Sequence, residues 1–335
     1  MGILLTGAAG FIGFHVARRL IKSGVRVIGF DNLNNYYDPL LKEARLAQLA
    51  QLTGFYFVRG DLANTADVAS VFGRGPYDAV IHLAAQAGVR DSLTHPEAYV
   101  QSNLVGFGNI LEACRQHRAP HLVYASSSSV YGLNATMPLS TNQNVDHPVS
   151  FYAATKKANE LMAHSYSHVF GLPVTGLRFF TVYGPWGRPD MAYFKFTEAI
   201  LCGRPVEVFN HGELWRDFTY IDDIVEGVVR LLSRQPAPDP EWSAERPNPA
   251  TSSAPYRVYN IGNHLPVKVT DFIKSLEQIL DRKAVLRPMP MQPGEVVMTY
   301  ADTSDLREET GFAPSTDLAT GLARFVEWYR AYYRV

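Results

Sequence analysis

The sequence predicts an α/β protein built on a doubly wound parallel sheet, with a smaller α/β domain interleaved into it. Two observations carry that expectation. Short apolar runs alternate with helical patterns through the first third of the chain, which implies right-handed crossovers between parallel strands. Between the first run and the first helical pattern lies Gly7-Ala8-Ala9-Gly10-Phe11-Ile12-Gly13, a turn suited to close backbone approach at a sheet edge.

The elements follow in order. Residues 3–6, 26–30, 55–59, 79–84 and 121–126 read as strands, being rich in Val, Ile, Leu and Phe and short enough for buried parallel strands. Helices are expected over 11–23, closed by Gly24, then over 63–72, and over 96–117 with Pro96 in its first turn. A long helix over 151–170 and a strand over 174–179 continue the alternation. Beyond them the pattern loosens into helices near 193–202, 222–234, 269–281 and 317–334, with strands near 206–209, 256–261 and 284–289. Residues 235–255 are crowded with proline among Ser and Ala and are expected to form a mobile surface insertion without regular structure.

Composition removes several classes of function. Lys plus Arg number 31 and Asp plus Glu 32, a formal charge of -1, so no overall field favours nucleic acid or an anionic membrane. Cys114 and Cys202 are the only cysteines. They are too few for a disulfide scaffold or a thiolate metal site, and they fit a reducing, cytoplasmic compartment. No apolar run reaches the roughly 18 residues of a membrane helix, and the first residues lack a signal-peptide pattern.

The glycine turn opens a helix, whose free N–H groups can hold a pyrophosphate. Asp31 ends the second strand about 18 residues beyond Gly13, where a carboxylate accepts from ribose hydroxyls. It would repel a further phosphate, and Asn32 and Leu33 bring no cation, so NAD is expected over NADP. Asp61 either reaches the adenine or caps the following helix.

Tyr152 and Lys156 stand one turn apart on one helix face. A phenol titrates near ~10, so a tyrosine acting as base at neutral pH needs its anion favoured by about three units, roughly 4 kcal/mol. Lys156 and a nicotinamide ring could supply that field. Ser126 to Ser129 follow a strand, at the carboxyl edge where doubly wound folds bind ligands.

With these motifs in hand, the whole chain resembles the extended short-chain dehydrogenase/reductases, in particular their nucleotide-sugar epimerases. The likeness rests on TGAAGFIG, HLAAQAGVR (82–90), ASSSSVYG (125–132), YAATK, LRFFTVYGPWGRPDMA (177–192), RDFTYIDDI (216–224) and QPGEVVMTYADTS (292–304). Together these look most like UDP-glucuronate 4-epimerases. The resemblance implies a Rossmann cofactor domain mainly over 1–180, with 210–232 and 255–262 added to it. A UDP-sugar domain would occupy mainly 181–335, and the chain would form a homodimer through the helices near 96–117 and 151–170.

By motif, NAD would be held by Gly7, Gly10, Phe11, Ile12, Gly13, Asp31, Asn32, Asp61 and Leu62, and by Leu83, Ala84, Ala85, Tyr152 and Lys156. Ser127 would partner Tyr152, with Ser128 and Ser129 beside the sugar. Tyr152 would take the proton of the 4-hydroxyl while carbon 4 is oxidised; the 4-keto sugar would then turn over and be reduced on its other face. Arg216 and Arg90 would face the diphosphate, and Tyr193, Phe194 and Val208 the uridine. Glu295 stands where many relatives carry Asp, at the nucleotide edge.

Choice of reaction rests on neighbouring positions. Related dehydratases place an acid pair after the hydroxyl residue, where this chain has Ser128 and Ser129, and related decarboxylases place a Glu at the position of Ser129. Arg188, with Thr181 nearby, falls where glucuronate epimerases bind the sugar carboxylate, a group that a guanidinium fork fits. A neutral UDP-hexose or UDP-N-acetylhexosamine epimerase, a decarboxylase, and an NAD-binding regulator without chemistry remain the alternatives. Asp222 and Asp223 read as a helix cap and dipole partner rather than metal ligands.

Overall fold

In the computed structural model, which describes residues 2–335, the chain alternates as expected through its first half. Strand β1 (Gly2–Thr6) leads into helix α1 (Phe11–Lys22), then β2 (Arg26–Asp31), α2 (Pro39–Ala50), β3 (Phe55–Arg59), α3 (Thr65–Phe72) and β4 (Ala79–His82). A helical stretch follows as α4 (Pro96–Tyr99), a π-helical segment Val100–Val105 and α5 (Gly106–Gln116), before β5 (Leu122–Ser127), α6 (Phe151–Phe170) and β6 (Val174–Phe179). The second half supplies β7 (Thr181–Tyr183), α7 (Ala192–Leu201), β8 (Pro205–Val208), β9 (Trp215–Tyr220) and α8 (Ile221–Leu232). It ends with β10 (Tyr256–Ile261), β11 (Pro266–Lys268), α9 (Val269–Leu280), β12 (Val285–Pro288), α10 (Ser304–Thr310) and α11 (Leu318–Tyr333).

The main sheet has seven parallel strands in the order β10-β6-β5-β4-β1-β2-β3. Alternate residues of each strand face opposite layers. Ile3 and Leu5 join Phe14 of α1 and Ile224 of α8 in one core, whereas Leu4, Ile28 and Tyr124 join Phe107 of α5 and Ala163 of α6 in the other. The strand order reverses between β1 and β4, so the crevice at their carboxyl ends is where a ligand fits. Two small sheets, β11-β9-β7 and β12-β8, stand over that crevice.

Several elements depart from the expectations. Helix α2 was not foreseen, although Asp38 caps it through Leu40 N–H and Pro39 opens it. The helix expected over 96–117 is interrupted by the π turn, whose wider turn frees the Asn103 carbonyl to accept from Asn159 Nδ2 of α6. Strands β7, β9 and β11 also went unread. Residues 235–255 contain no helix or strand, and their far end is packed: Ala250, Thr251, Ser252 and Ala254 are buried, with the Ser252 hydroxyl 2.9 Å from His164 Nε2 of α6.

Helix α8 begins differently from the reading of Asp222 and Asp223 as a cap. Tyr220 is the capping residue and makes no side-chain cap bond; the two carboxylates lie in the first turn, and that of Asp223 accepts from Thr316 N–H. Likewise α3 is capped by Asn64, not by Asp61.

Candidate active site

The glycine turn is shaped by lack of room. Gly7 adopts φ +73, and a Cβ there would sit 2.7 Å from the Ala84 nitrogen; a Cβ on Gly13 would collide with the Gly7 carbonyl. Only glycine satisfies both, and α1 thereby starts against the sheet with its N–H groups facing the cleft. Asp31 accepts from the amides of Ala9 (3.1 Å) and Leu33 (2.9 Å), which fix its carboxylate at the end of β2. Burial pushes its pKa up, and those two amides and Lys42 oppose the shift. Asn32 donates to Asp61 at 2.9 Å, and these two with Asp31, Leu62, Ala84 and Ala85 line a hollow beside the turn. These features fit the adenosine half of a dinucleotide.

A cleft of ≈ 1300 Å³ continues from the turn across the sheet edge to β8 and β12. Gly7, Gly10, Phe11, Ile12, Gly13, Leu83 and Ala85 line its cofactor end, and Ser127, Ser128, Ser129, Tyr152 and Lys156 its centre. Helix α6 starts at a cap, the Ser150 hydroxyl accepting from Ala153 N–H, and so presents Tyr152 and Lys156 one turn apart to the end of β5. Burial raises the Tyr152 pKa; the Ser127 hydroxyl and the Arg188 charge work against that rise.

In this structure Lys156 Nζ donates to the Ala125 carbonyl at 2.9 Å, and burial lowers its pKa to about 8. The Arg188 charge is a cation that opposes the rise at Tyr152. Lys156 is thus a buried ammonium anchored on β5.

Arg188 reaches the cleft with Thr181. Its Nε and Nη2 donate to the two Asp190 oxygens at 3.0 and 2.6 Å, and its guanidinium stands 5.9 Å from the Tyr36 ring centre. Tyr36 Oη in turn donates to Asp190. Asp190 occupies the Nε–Nη2 edge of the fork, so a second anion can approach from the Nη1 side. At the far end Arg90 pairs with Glu295 and stands 4.6 Å over the Phe209 ring, while Arg216 lies 3.9 Å from the same carboxylate. Two cations around one carboxylate form a site that a diphosphate can share.

Three expected residues do not face the cleft. Tyr193 and Phe194 turn into the aromatic core, 4.9 and 5.9 Å from the Phe325 ring, and Val208, the last residue of β8, is buried. Helical phase explains it: Ala192, Lys195, Phe196 and Ala199 of α7 are on the open side, joined by Val206 and Phe209. The sequence reading misses Tyr36, which is distant in sequence from Arg188 and Asp190, and also Asp190, which stands two residues after Arg188 and pairs with it locally. Among the described residues no three His, Cys, Asp or Glu gather into a metal-binding group.

Fold and site together define a nicotinamide-dinucleotide enzyme of the short-chain dehydrogenase/reductase type. The chain belongs to the NAD dependent epimerase/dehydratase family, which matches residues 3–262. Protein CapI of Staphylococcus aureus is 52% identical over 334 residues, covering 100% of both chains. UDP-glucuronate 4-epimerase 3 of Arabidopsis thaliana is 49% identical over 99% of this chain and 77% of its own length. The crystal structure of UDP-glucuronic acid 4-epimerase from Bacillus cereus with UDP-glucuronic acid and NAD superposes with a TM-score of 0.86 at 33% identity, over 99% of this chain and 100% of that one.

Proposed function

We propose that the protein interconverts UDP-glucuronate and UDP-galacturonate, using NAD that is regenerated in each turnover. The observation that carries this reading is Arg188, a guanidinium in the cleft beside Tyr152 whose Asp190 partner occupies only the Nε–Nη2 edge. Its free edge matches a sugar carboxylate. The solved Bacillus cereus relative binds UDP-glucuronic acid and NAD, which supports the same substrate here.

When bound, NAD supplies the chemistry of accepting hydride from carbon 4 and returning it. The chain does the rest. Tyr152 holds the proton of the 4-hydroxyl, with Ser127 donating to the same oxygen; Arg188 favours the phenolate by its charge. Lys156 holds the ribose side through its ammonium. Arg216 and Arg90 bind the diphosphate by exchanging it for Glu295, and the nucleotide stays fixed while the small 4-keto sugar turns over. Two copies of the chain are proposed to pair through the 96–116 helical stretch and α6, supported by Val105 of the π segment and Leu161 of α6, which are 40% and 60% exposed. The free thiols of Cys114 and Cys202 support a cytoplasmic setting.

Proton NMR of UDP-glucuronate incubated with the protein tests the proposal. A galacturonate signal is expected, and Tyr152→Phe should lower the rate by roughly 10²–10⁴-fold with NAD still bound. Conversion of UDP-glucose but not UDP-glucuronate would overturn it.

A further inference from the structure

Arg45 of α2 is wholly buried, at 0% exposure. Among the described residues no carboxylate lies within the 4.0 Å of a salt bridge to it. Its guanidinium is surrounded by oxygen dipoles instead. Nη1 donates to the Ala9 carbonyl (2.8 Å) and Tyr37 Oη (2.7 Å), and Nη2 to the carbonyls of Trp186 (2.7 Å) and Gly187 (3.2 Å). Nε adds a second bond to Trp186 at 3.2 Å. A buried cation without a bonded anion is costly unless its donors are met, so this arrangement is one that order in the partners has to stabilise.

The partners are informative. Ala9 belongs to the glycine turn, and its own N–H is bound by Asp31. Trp186 and Gly187 immediately precede Arg188. A second tie runs parallel: His15 Nε2 of α1 lies 2.9 Å from the Pro185 carbonyl, and since burial lowers the His15 pKa to about 3, the neutral ring donates that bond. Three successive carbonyls, 185 to 187, are therefore held from the dinucleotide side. The loop is closely packed as well: Trp186 sits at φ 61, and a Cβ on Gly187 would strike the Tyr193 hydroxyl.

We infer that Arg45 is a positioning residue for carboxylate recognition: it fixes the Arg188 loop to the glycine turn and so sets the distance between bound cofactor and sugar carboxylate. The inference rests on the proposed uronate substrate. The distance matters because the 4-keto uronate is a β-keto acid. Its C5–C6 bond breaks when that bond stands perpendicular to the carbonyl plane: the electron pair passes into an enolate across C5 and the C4 oxygen, carbon dioxide leaves, and protonation at C5 gives a 4-keto pentose. An Arg188 held at fixed depth keeps the carboxylate out of that orientation. A displacement of about 1 Å in such a positioning group costs on the order of a hundredfold.

Arg45→Lys tests this, since a single ammonium keeps the charge but cannot span Ala9 and the 186–187 carbonyls together. The variant is expected to keep its NAD and its inhibition by UDP, which lacks the sugar. Its KM for UDP-glucuronate should rise roughly tenfold or more, with a larger fraction of decarboxylated pentose in the NMR product spectrum. Equal losses in UDP inhibition and KM, with the wild-type product ratio, would reduce Arg45 to a structural role and overturn the inference. If Arg45→Lys does not fold, His15→Phe, which cuts only the Pro185 tie, is read by the same product ratio, with the same two outcomes. Wild-type protein serves as the control: if it forms no UDP-galacturonate, the proposed substrate is wrong and the inference falls with it.

Discussion

Glu160 of α6 sits between three elements of the site. Its carboxylate accepts from Arg178 Nε (2.8 Å) and Nη2 (2.9 Å) on β6 and from the Ser126 hydroxyl (2.7 Å) at the end of β5. Both charged side chains are buried, at 0% and 3% exposure, and Arg178 also lies 4.9 Å from the Tyr131 ring centre. Burial opposes the Glu160 charge, yet Arg178 and Ser126 hold its pKa below the usual carboxylate range. Glu160→Gln keeps the shape and removes the anion. Arg178 Nη1 already lacks a partner, so the guanidinium would be left buried and uncompensated, at a cost of about 3–5 kcal/mol.

For 335 residues the unfolding entropy near Tm is roughly 0.7 kcal/mol per kelvin, so that cost corresponds to a Tm lower by about 4–7 °C. Calorimetry on the NAD-bound protein measures it directly. The companion variant Glu160→Leu with Arg178→Met removes both charges and is expected to recover most of the loss, because an apolar pair of similar volume is often no less stable than a buried ion pair. A single variant losing less than about 1 kcal/mol, or a double variant less stable than the single, would refute the reasoning.

Two further outcomes follow from geometry described above. Gly13→Ala places a methyl against the Gly7 carbonyl, so the purified variant should carry little NAD by absorbance or mass spectrometry; a full complement would show that the turn can give way. His82 is buried with its pKa lowered to about 3 from 6.5, chiefly by desolvation and further by Lys156. The unfolded chain binds a proton that the folded chain refuses, so stability is full above pH 6.5 and falls as pH drops toward 3, by about 2 kcal/mol at pH 5. Urea titrations at pH 7 and pH 5 measure this, and a His82→Asn variant as acid-sensitive as wild type would contradict the assignment.

The parts of the fold that announce themselves locally were legible. A parallel strand is a continuous apolar run, and Gly7 to Gly13 followed by Asp31 is a local pattern with a local cause. The small sheet β11-β9-β7 was not, because Trp215–Tyr220 gains its meaning only from partners at 181–183 and 266–268. In the site, Tyr152 and Lys156 were readable as one helix face. Asp190 was not, nor was Arg45: a charged residue inside an amphipathic helix reads as solvated surface, and its carbonyl partners lie in loops that sequence leaves without shape. Tyr193 and Phe194 failed for a narrower reason, a helix phase that turned them inward to Phe325.

Strand β10 has a consequence for synthesis of the chain. It pairs with β6 from Tyr256↔Val174 to Ile261↔Phe179, so the flank of the sheet stays bare while the intervening residues are still being translated. At 5–20 residues per second that interval lasts roughly 4–15 s. A nascent chain therefore carries a buried-type strand with one free edge, the kind of surface that recruits another strand. Ending translation near residue 180 would yield an aggregation-prone sheet of six strands with β6 as a bare edge, instead of a separable cofactor module, and circular permutants that deliver 256–261 earlier should reach the folded state with less loss.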